Sequence, residues 1–415
     1  MVGGTSAWIR WLLPELNRRG IESDCLCFLH TGEKGPTVSH LERNGVRCSI
    51  YKGSHTIEDR VEWIHKEFAM HRPKVFVPNE VPAAYHAIGW LKQRGVRCVG
   101  VIHAQSAAAY AMPKLFAGPD VRRALDAVVC VSKEIERDIR KSPPPYTSVH
   151  RIPCGAPVPD FRAQFAPHRY RLIYSGRLTN EQKRITHVAR ALCDTVKEVP
   201  GTEAIVFGDG PQRDEVERIF SSDGRGLPVK LAGYVEPEEM QAHYAEAHSV
   251  ILLSEYEGLP VSLMEAMACG CVPICRKIHS GVPELVQDGI TGILVGDDPP
   301  QFVEAVRQLR QDGERWNELS RGARRLIEKN YSHTAASDLW VDLLEELLRK
   351  PSVVKLIKWP VRMLPPSPPF DYPAERRPQI HPLRRAVSTG RSVLGRLVRH
   401  AKRMKGVNPD RIESP

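Results

Sequence analysis

Short apolar runs with strand character alternate with stretches of helical spacing along most of this chain, and the alternation occurs twice. The first set of runs is DCLCFL (24–29), CSIY (48–51), KVFVP (74–78), RCVGVI (97–102), AVVCV (127–131) and SVHRI (148–152), with helical stretches such as Ile57–Met70 and Val81–Gln93 between them. A proline-rich passage, IPCGAPVPDFRAQFAP (152–167), then interrupts the pattern. The second set is RLIYSG (171–176), EAIVFG (203–208), VKLAG (229–233), SVILLS (249–254), CVPIC (271–275) and TGILVG (291–296). Strands that alternate with helices predict a parallel sheet covered on both faces. A chain of 415 residues exceeds what one core normally holds. The sequence therefore predicts an α/β protein of two doubly wound, Rossmann-like domains facing each other across a cleft. Helical segments at 300–330 and 332–348 are expected to close the folded body.

Composition agrees with a globular body, at 42% apolar and 26% charged residues. No window approaches 18 uninterrupted apolar residues, so no membrane-spanning helix is expected. The N-terminus lacks the basic, apolar, small-residue order of a secretory signal. Charge separates the chain into two parts. Residues 351–415 hold 14 Lys plus Arg against 4 Asp plus Glu, while the whole chain holds 59 against 49. The net charge of +10 thus belongs to the tail, and the balanced body gives no reason to expect a nucleic-acid partner. Within the tail, LRRAVSTGRSVLGRLVRHAKRM (383–404) places Leu383, Val387, Leu394, Leu397, Val398, Ala401 and Met404 on one helical face and basic residues on the other. That pattern suits an anionic membrane surface, with a solvated basic tail or a helix docked on a partner as alternatives. Ten cysteines lie mostly in apolar runs; Cys269, Cys271 and Cys275 lack the paired spacing of a zinc site, so reduced structural thiols are expected.

The stretch Glu257 to Ile274, EGLPVSLMEAMACGCVPI, carries the chemistry. Glu257 and Glu265 flank a loop-to-helix junction just after a strand, where freed N–H groups and the helix dipole favour anionic ligands. Ser262-x-x-Glu265 also reads as a capping box, in which Glu265 serves the helix terminus alone. Earlier, SGRLTNEQKR (175–184) ends a strand and supplies Arg177 and Lys183, a donor fork and a compact charge suited to phosphate oxygens. GDGPQ (208–212) is a glycine turn that either lines phosphates or simply links strand to helix. The chain contains no Asp-x-Asp pair of the kind that holds a diphosphate through a divalent metal.

Taken together, the EGLP loop, the EAMACG helix, the following strand and the GRL…K turn resemble the Glu-x7-Glu signature of retaining GT-B glycosyltransferases (glycosyl transferases group 1, family 4). The resemblance covers about residues 3–348 and is most specific over 171–296. It implies a retaining hexosyltransferase that needs no metal or other cofactor and draws on a UDP- or GDP-sugar to modify a glycan or lipid-linked acceptor. It assigns Arg177 and Lys183 to the donor diphosphate, with Arg184 as a possible sharer, and Glu265 to the ribose. Glu257 and the backbone of Gly258, Leu259 and Pro260 would meet the transferred sugar, and Tyr234 and Val235 the base. His103 would contact the sugar from the first domain, and Gly3 and Gly4 would let backbone approach donor phosphate or acceptor. The implied plan is an acceptor-side domain over 1–155, a linker over 156–168, a nucleotide-sugar domain over 169–331 and a crossover helix over 332–350. The basic tail of 351–415 would hold this cytoplasmic protein on the inner face of the membrane. The resembled fold has a strand before Gly3 that this sequence does not contain, so the polypeptide is expected to begin upstream or to be impaired. A nucleotide-sugar epimerase on the same fold and a non-catalytic nucleotide-binding homologue are the competing readings.

Overall fold

The computed structural model describes residues 4–29, 34–53, 56–118, 120–121 and 123–350. Gly3 and the basic tail, including the amphipathic pattern of 383–404, lie outside the described residues. All described residues belong to one compact unit. Its first half runs α1 (Gly4–Arg18), β1 (Asp24–Cys27), α2 (Pro36–Arg43), β2 (Arg47–Ile50), α3 (Ile57–His71) and β3 (Val75–Phe76). It continues through α4 (Pro82–Gln93), β4 (Arg97–Ile102), α5 (Ala107–Leu115), β5 (Ala127–Cys130), α6 (Lys133–Arg140) and β6 (Ser148–Arg151). The second half begins with β7 (Tyr170–Ser175), α7 (Ile185–Glu198), β8 (Thr202–Phe207), α8 (Arg213–Ser222), β9 (Val229–Gly233), α9 (Pro237–Ala245) and β10 (Ser249–Leu252). Then follow α10 (Val261–Ala268), β11 (Val272–Arg276), α11 (Val282–Leu285), β12 (Ile293–Val295), α12 (Pro299–Gln311), α13 (Gly313–Asn330) and α14 (His333–Arg349).

Each predicted run becomes a strand, shifted by a residue or two at its ends. In the second half the strands form one six-stranded sheet of order β12-β11-β10-β7-β8-β9, parallel throughout. The order reverses between β7 and β10, which places a topological switch point at their carboxyl ends. The central strands are near-continuous apolar runs because helices cover both faces: Leu172, Ile173, Tyr174 and Ala204 are fully buried.

The first half departs from the expected single sheet. Its strands fall into a four-stranded sheet of order β3-β4-β5-β6 and a separate pair, β1-β2. Among the described residues no ladder joins β1 to β3. Helices still bind the two parts: α1 turns Trp8, Leu12 and Leu16, spaced four apart on one face, into the core.

The segment expected as one helical stretch over 300–330 is two helices. The chain breaks at Asp312, whose carboxylate accepts from the Arg315 N–H at 2.9 Å and caps α13. Ser332 caps α14 in the same way. That last helix packs on α1 of the first half, where the Trp8 and Trp340 rings lie 5.6 Å apart. The proline-rich segment is fixed at several points: Arg324 donates to the carbonyls of Pro159 and Phe161, and Ala163 N–H to Cys269 O.

Candidate active site

A cleft of about 340 Å³ opens at the switch point, and the loops that leave β7 and β10 supply most of its polar wall. After β7 the chain cannot enter α7 directly. Arg184 takes a left-handed conformation (φ 51°) as the N-cap position, and the intervening turn, Gly176 to Lys183, projects side chains over the sheet edge. Arg177 Nη2 donates to Gln182 Oε1 at 3.0 Å. Gln182 Nε2 in turn donates to Tyr256 O at 3.2 Å, tying the two loops together. Arg184 does not join this group. Its guanidinium donates to Asp297 Oδ1 at 2.6 Å outside the cleft, so the sharing suggested by its position in sequence is taken up elsewhere.

The loop after β10 carries Glu257, buried to 4% exposure. Its Oε1 accepts from Lys183 Nζ at 2.6 Å, in a pair that is itself largely shielded from solvent. Burial of two charges is tolerable because each satisfies the other. Helix α10 then starts at Val261 with Pro260 at its N-cap, and no side chain caps it. The Ser262–Glu265 box, the alternative reading of the spacing, is not formed. The first N–H groups of α10 therefore remain available toward the cleft, where the helix dipole adds positive potential. Glu265 lines the cleft instead. Desolvation raises its carboxyl from 4.5 to about 7, against the opposing influence of the nearby Trp11 and Arg10.

Gly258 joins the halves. Its backbone forms a bridge with Ala104 of the first half, and a Cβ there would fall 1.9 Å from His103 O. Only a glycine permits that approach. Arg10 of α1, wholly buried, adds a second tie by donating from Nη2 to Glu238 Oε1 of α9 at 2.5 Å.

Across the cleft, the first half contributes Ala7, Glu80, His103, Ala104 and Cys154. His103 follows β4, and burial pushes its imidazole down to about 3, so the ring is neutral. Its Nε2 lies 2.8 Å from Asn79 Oδ1, and its ring packs on Trp8 with centroids 5.0 Å apart.

The structure thus gathers Arg177, Lys183, Glu257, Gly258, Leu259, Pro260, Glu265, Tyr234, Val235 and His103 around one cleft. Gly208 and Asp209 of the glycine turn line it too. Gly4 is the first residue of α1, three positions before the cleft-lining Ala7. Sequence reasoning missed Gln182 and Glu80. Gln182 lies inside the recognised turn but has no type-specific chemistry; Glu80 follows β3 in a segment without any motif.

The two halves also resemble known proteins separately. Residues 2–158 match the family described as Glycosyltransferase Family 4, and residues 169–312 match the one described as Glycosyl transferases group 1. Two Rossmann-like domains with parallel sheets, joined in this way, make a GT-B fold. Among individual relatives, alpha-D-kanosaminyltransferase of Streptomyces kanamyceticus is 26% identical over 240 residues, which cover 55% of this chain and 62% of that protein. The GDP-mannose-dependent alpha-(1-6)-phosphatidylinositol monomannoside mannosyltransferase of Mycolicibacterium smegmatis is 30% identical over 210 residues, covering 46% and 54%. The matched region spans less than two thirds of either relative. In three dimensions the HepE protein of Anabaena, solved with UDP-glucose, superposes with a TM-score of 0.67 at 16% identity, over 83% of this chain and 97% of its own. Sucrose-phosphate synthase of Thermosynechococcus elongatus gives 0.65 at 18% identity, over 82% and 93%. At such identities the likeness is one of fold.

Proposed function

We propose that this protein is a retaining hexosyltransferase. It takes a sugar from a UDP- or GDP-sugar and passes it to a hydroxyl of a glycan or lipid-linked acceptor, without a metal. The observation that carries this reading is the convergence of Arg177, Lys183, Glu257, Glu265 and the uncapped start of α10 on one cleft. Glu265 accepts the ribose hydroxyls, and Tyr234 and Val235 border the base. Arg177, Lys183 and the α10 N–H groups neutralise the diphosphate as the anomeric C–O bond breaks, which is where negative charge grows in the transition state. The acceptor oxygen bonds to the same carbon from the same face, and its proton passes to a departing phosphate oxygen. Glu257, held by Lys183 and Gln182, offsets positive character on the sugar ring. The relatives support a sugar-nucleotide donor: one is named for its dependence on GDP-mannose, and a neighbour of the same fold was solved with UDP-glucose. The basic excess of 351–415 would hold the protein at the cytoplasmic face of an anionic membrane, where lipid-linked acceptors reside.

Thermal shift with UDP, GDP, ADP and their sugars tests the donor assignment. A ligand at about 100 times its dissociation constant adds roughly 2.7 kcal/mol, and one nucleotide class is expected to do so. No shift with any of them would sink the reading. Arg177→Ala should leave nucleotide binding nearly intact and slow transfer by on the order of 10² to 10³, as loss of one transition-state donor does. Deleting 351–415 should abolish binding to vesicles of anionic lipid while sparing transfer to a soluble acceptor.

A further inference from the structure

Pro78 to Val81 forms a tight turn closed by the Val81 N–H to Pro78 O bond at 3.0 Å. Both central residues have positive φ, 40° at Asn79 and 63° at Glu80. This is the type I′ arrangement, whose second central position favours glycine. A glutamate there is held against its own backbone preference, and residues so held cluster at functional sites. Glu80 opens into the cleft, and no hydrogen bond or ion pair engages its carboxylate among the described residues. Its turn is aimed by a fixed chain of contacts: Trp8 packs on His103, and His103 Nε2 meets Asn79 Oδ1 at 2.8 Å. Partial desolvation at the cleft wall raises the Glu80 carboxyl above the ordinary range, opposed by the charge of Arg177, while the residue as a whole stays exposed.

The geometry assigns Glu80 to the acceptor: its carboxylate receives hydroxyl groups of a neutral carbohydrate that enters from the first-half side, opposite the donor. This rests on the donor being held by the second half, as proposed above. Two carboxylate oxygens with free lone pairs match a vicinal diol. An acceptor with a phosphate beside the reacting hydroxyl would be repelled by the same charge, so the site selects uncharged sugar ends. His103 and Asn79 act as positioning residues.

The test uses the full chain saturated with UDP or GDP, whichever shifts its melting, and saturation-transfer NMR with methyl α-D-glucoside, methyl α-D-mannoside and glycerol 3-phosphate. At least one glycoside should show contact and glycerol 3-phosphate none. Glu80→Gln should weaken the glycoside by about tenfold or more, the loss expected for a hydrogen bond to a charged group. Glu80→Gly should abolish the contact while melting at the same or a higher temperature, because glycine suits the turn. Asn79→Gly should weaken the contact with nucleotide shift and melting unchanged. Equal glycoside contact in wild type and Glu80→Gly, absence of contact with either glycoside, or preference for glycerol 3-phosphate would overturn the assignment. Failure of the nucleotide shift alone would instead count against the donor reading, since glycoside contact can be read without nucleotide.

Discussion

The two halves carry the same alternation of strand and helix, yet they hold it together differently. The second half closes its strands into one sheet of six, with β7 paired on both sides by β8 and β10. The first half divides into a sheet of four and a pair. A two-stranded ribbon has little stability of its own, so β1 and β2 depend on α1 and α2 for their place. The chemistry follows the same division. Arg177, Lys183 and Glu257 hang from the two adjacent strands at the switch point, whereas the first half offers a neutral histidine and a turn. The loops of Arg177, Lys183 and Glu257 thus rest on central strands of the larger sheet, while Glu80 and His103 border the cleft from β3 and β4 of the smaller one.

The largest expected effect comes from the buried ion pair in the rigid half. Lys183→Ala should cost about 3–5 kcal/mol in denaturant unfolding, because Glu257 would be left charged and unpaired. Adding Glu257→Gln should recover much of that loss; additive costs would show that the pair is not coupled. Next is the contact between the halves. Gly258→Ala should destabilise by about 1–3 kcal/mol through overpacking against His103 O and lower turnover further than stability alone explains. If transfer is unchanged, the closed contact is not the working geometry.

The third prediction concerns pH. Because Glu265 titrates near 7 in the folded protein and near 4.5 ordinarily, the folded state holds an extra proton between those values. Stability without ligand should therefore be greatest below pH 4.5 in this group's contribution and decline as pH rises to about 7, by up to ~3 kcal/mol. On the role proposed for Glu265, nucleotide affinity should move the other way, since ribose hydroxyls would donate to the ionised carboxylate. Titration calorimetry at pH 6 and pH 8 should find tighter binding at pH 8, and Glu265→Gln should remove that dependence. The smallest effect is one of dynamics. Amide exchange in β1 should outpace exchange in β7 under native conditions, and equal protection would erase the distinction between the halves.

The residues singled out from the sequence in the second half converge on one cleft, and they were legible because they lie close together along the chain. Glu257 and Glu265 sit in one loop and helix, and Arg177 and Lys183 in one turn. The alternation itself was equally plain, since buried parallel strands leave apolar runs such as RCVGVI. What escaped was whatever depends on distant partners. The Ser262–Glu265 capping box, the alternative reading of that spacing, does not form, and Glu265 lines the cleft. The split of the first sheet is a matter of which strands pair, and pairing leaves no trace in a run of four residues. Glu80 was invisible for a sharper reason: its turn, Pro78-Asn79-Glu80-Val81, lacks the glycine that would have announced it.

The bridge between Gly258 and Ala104 adjoins Glu257 in sequence. Any separation of the halves would therefore pull on the same loop that carries the Glu257 carboxylate. The glycine thus couples the joint between the halves to the placement of that carboxylate.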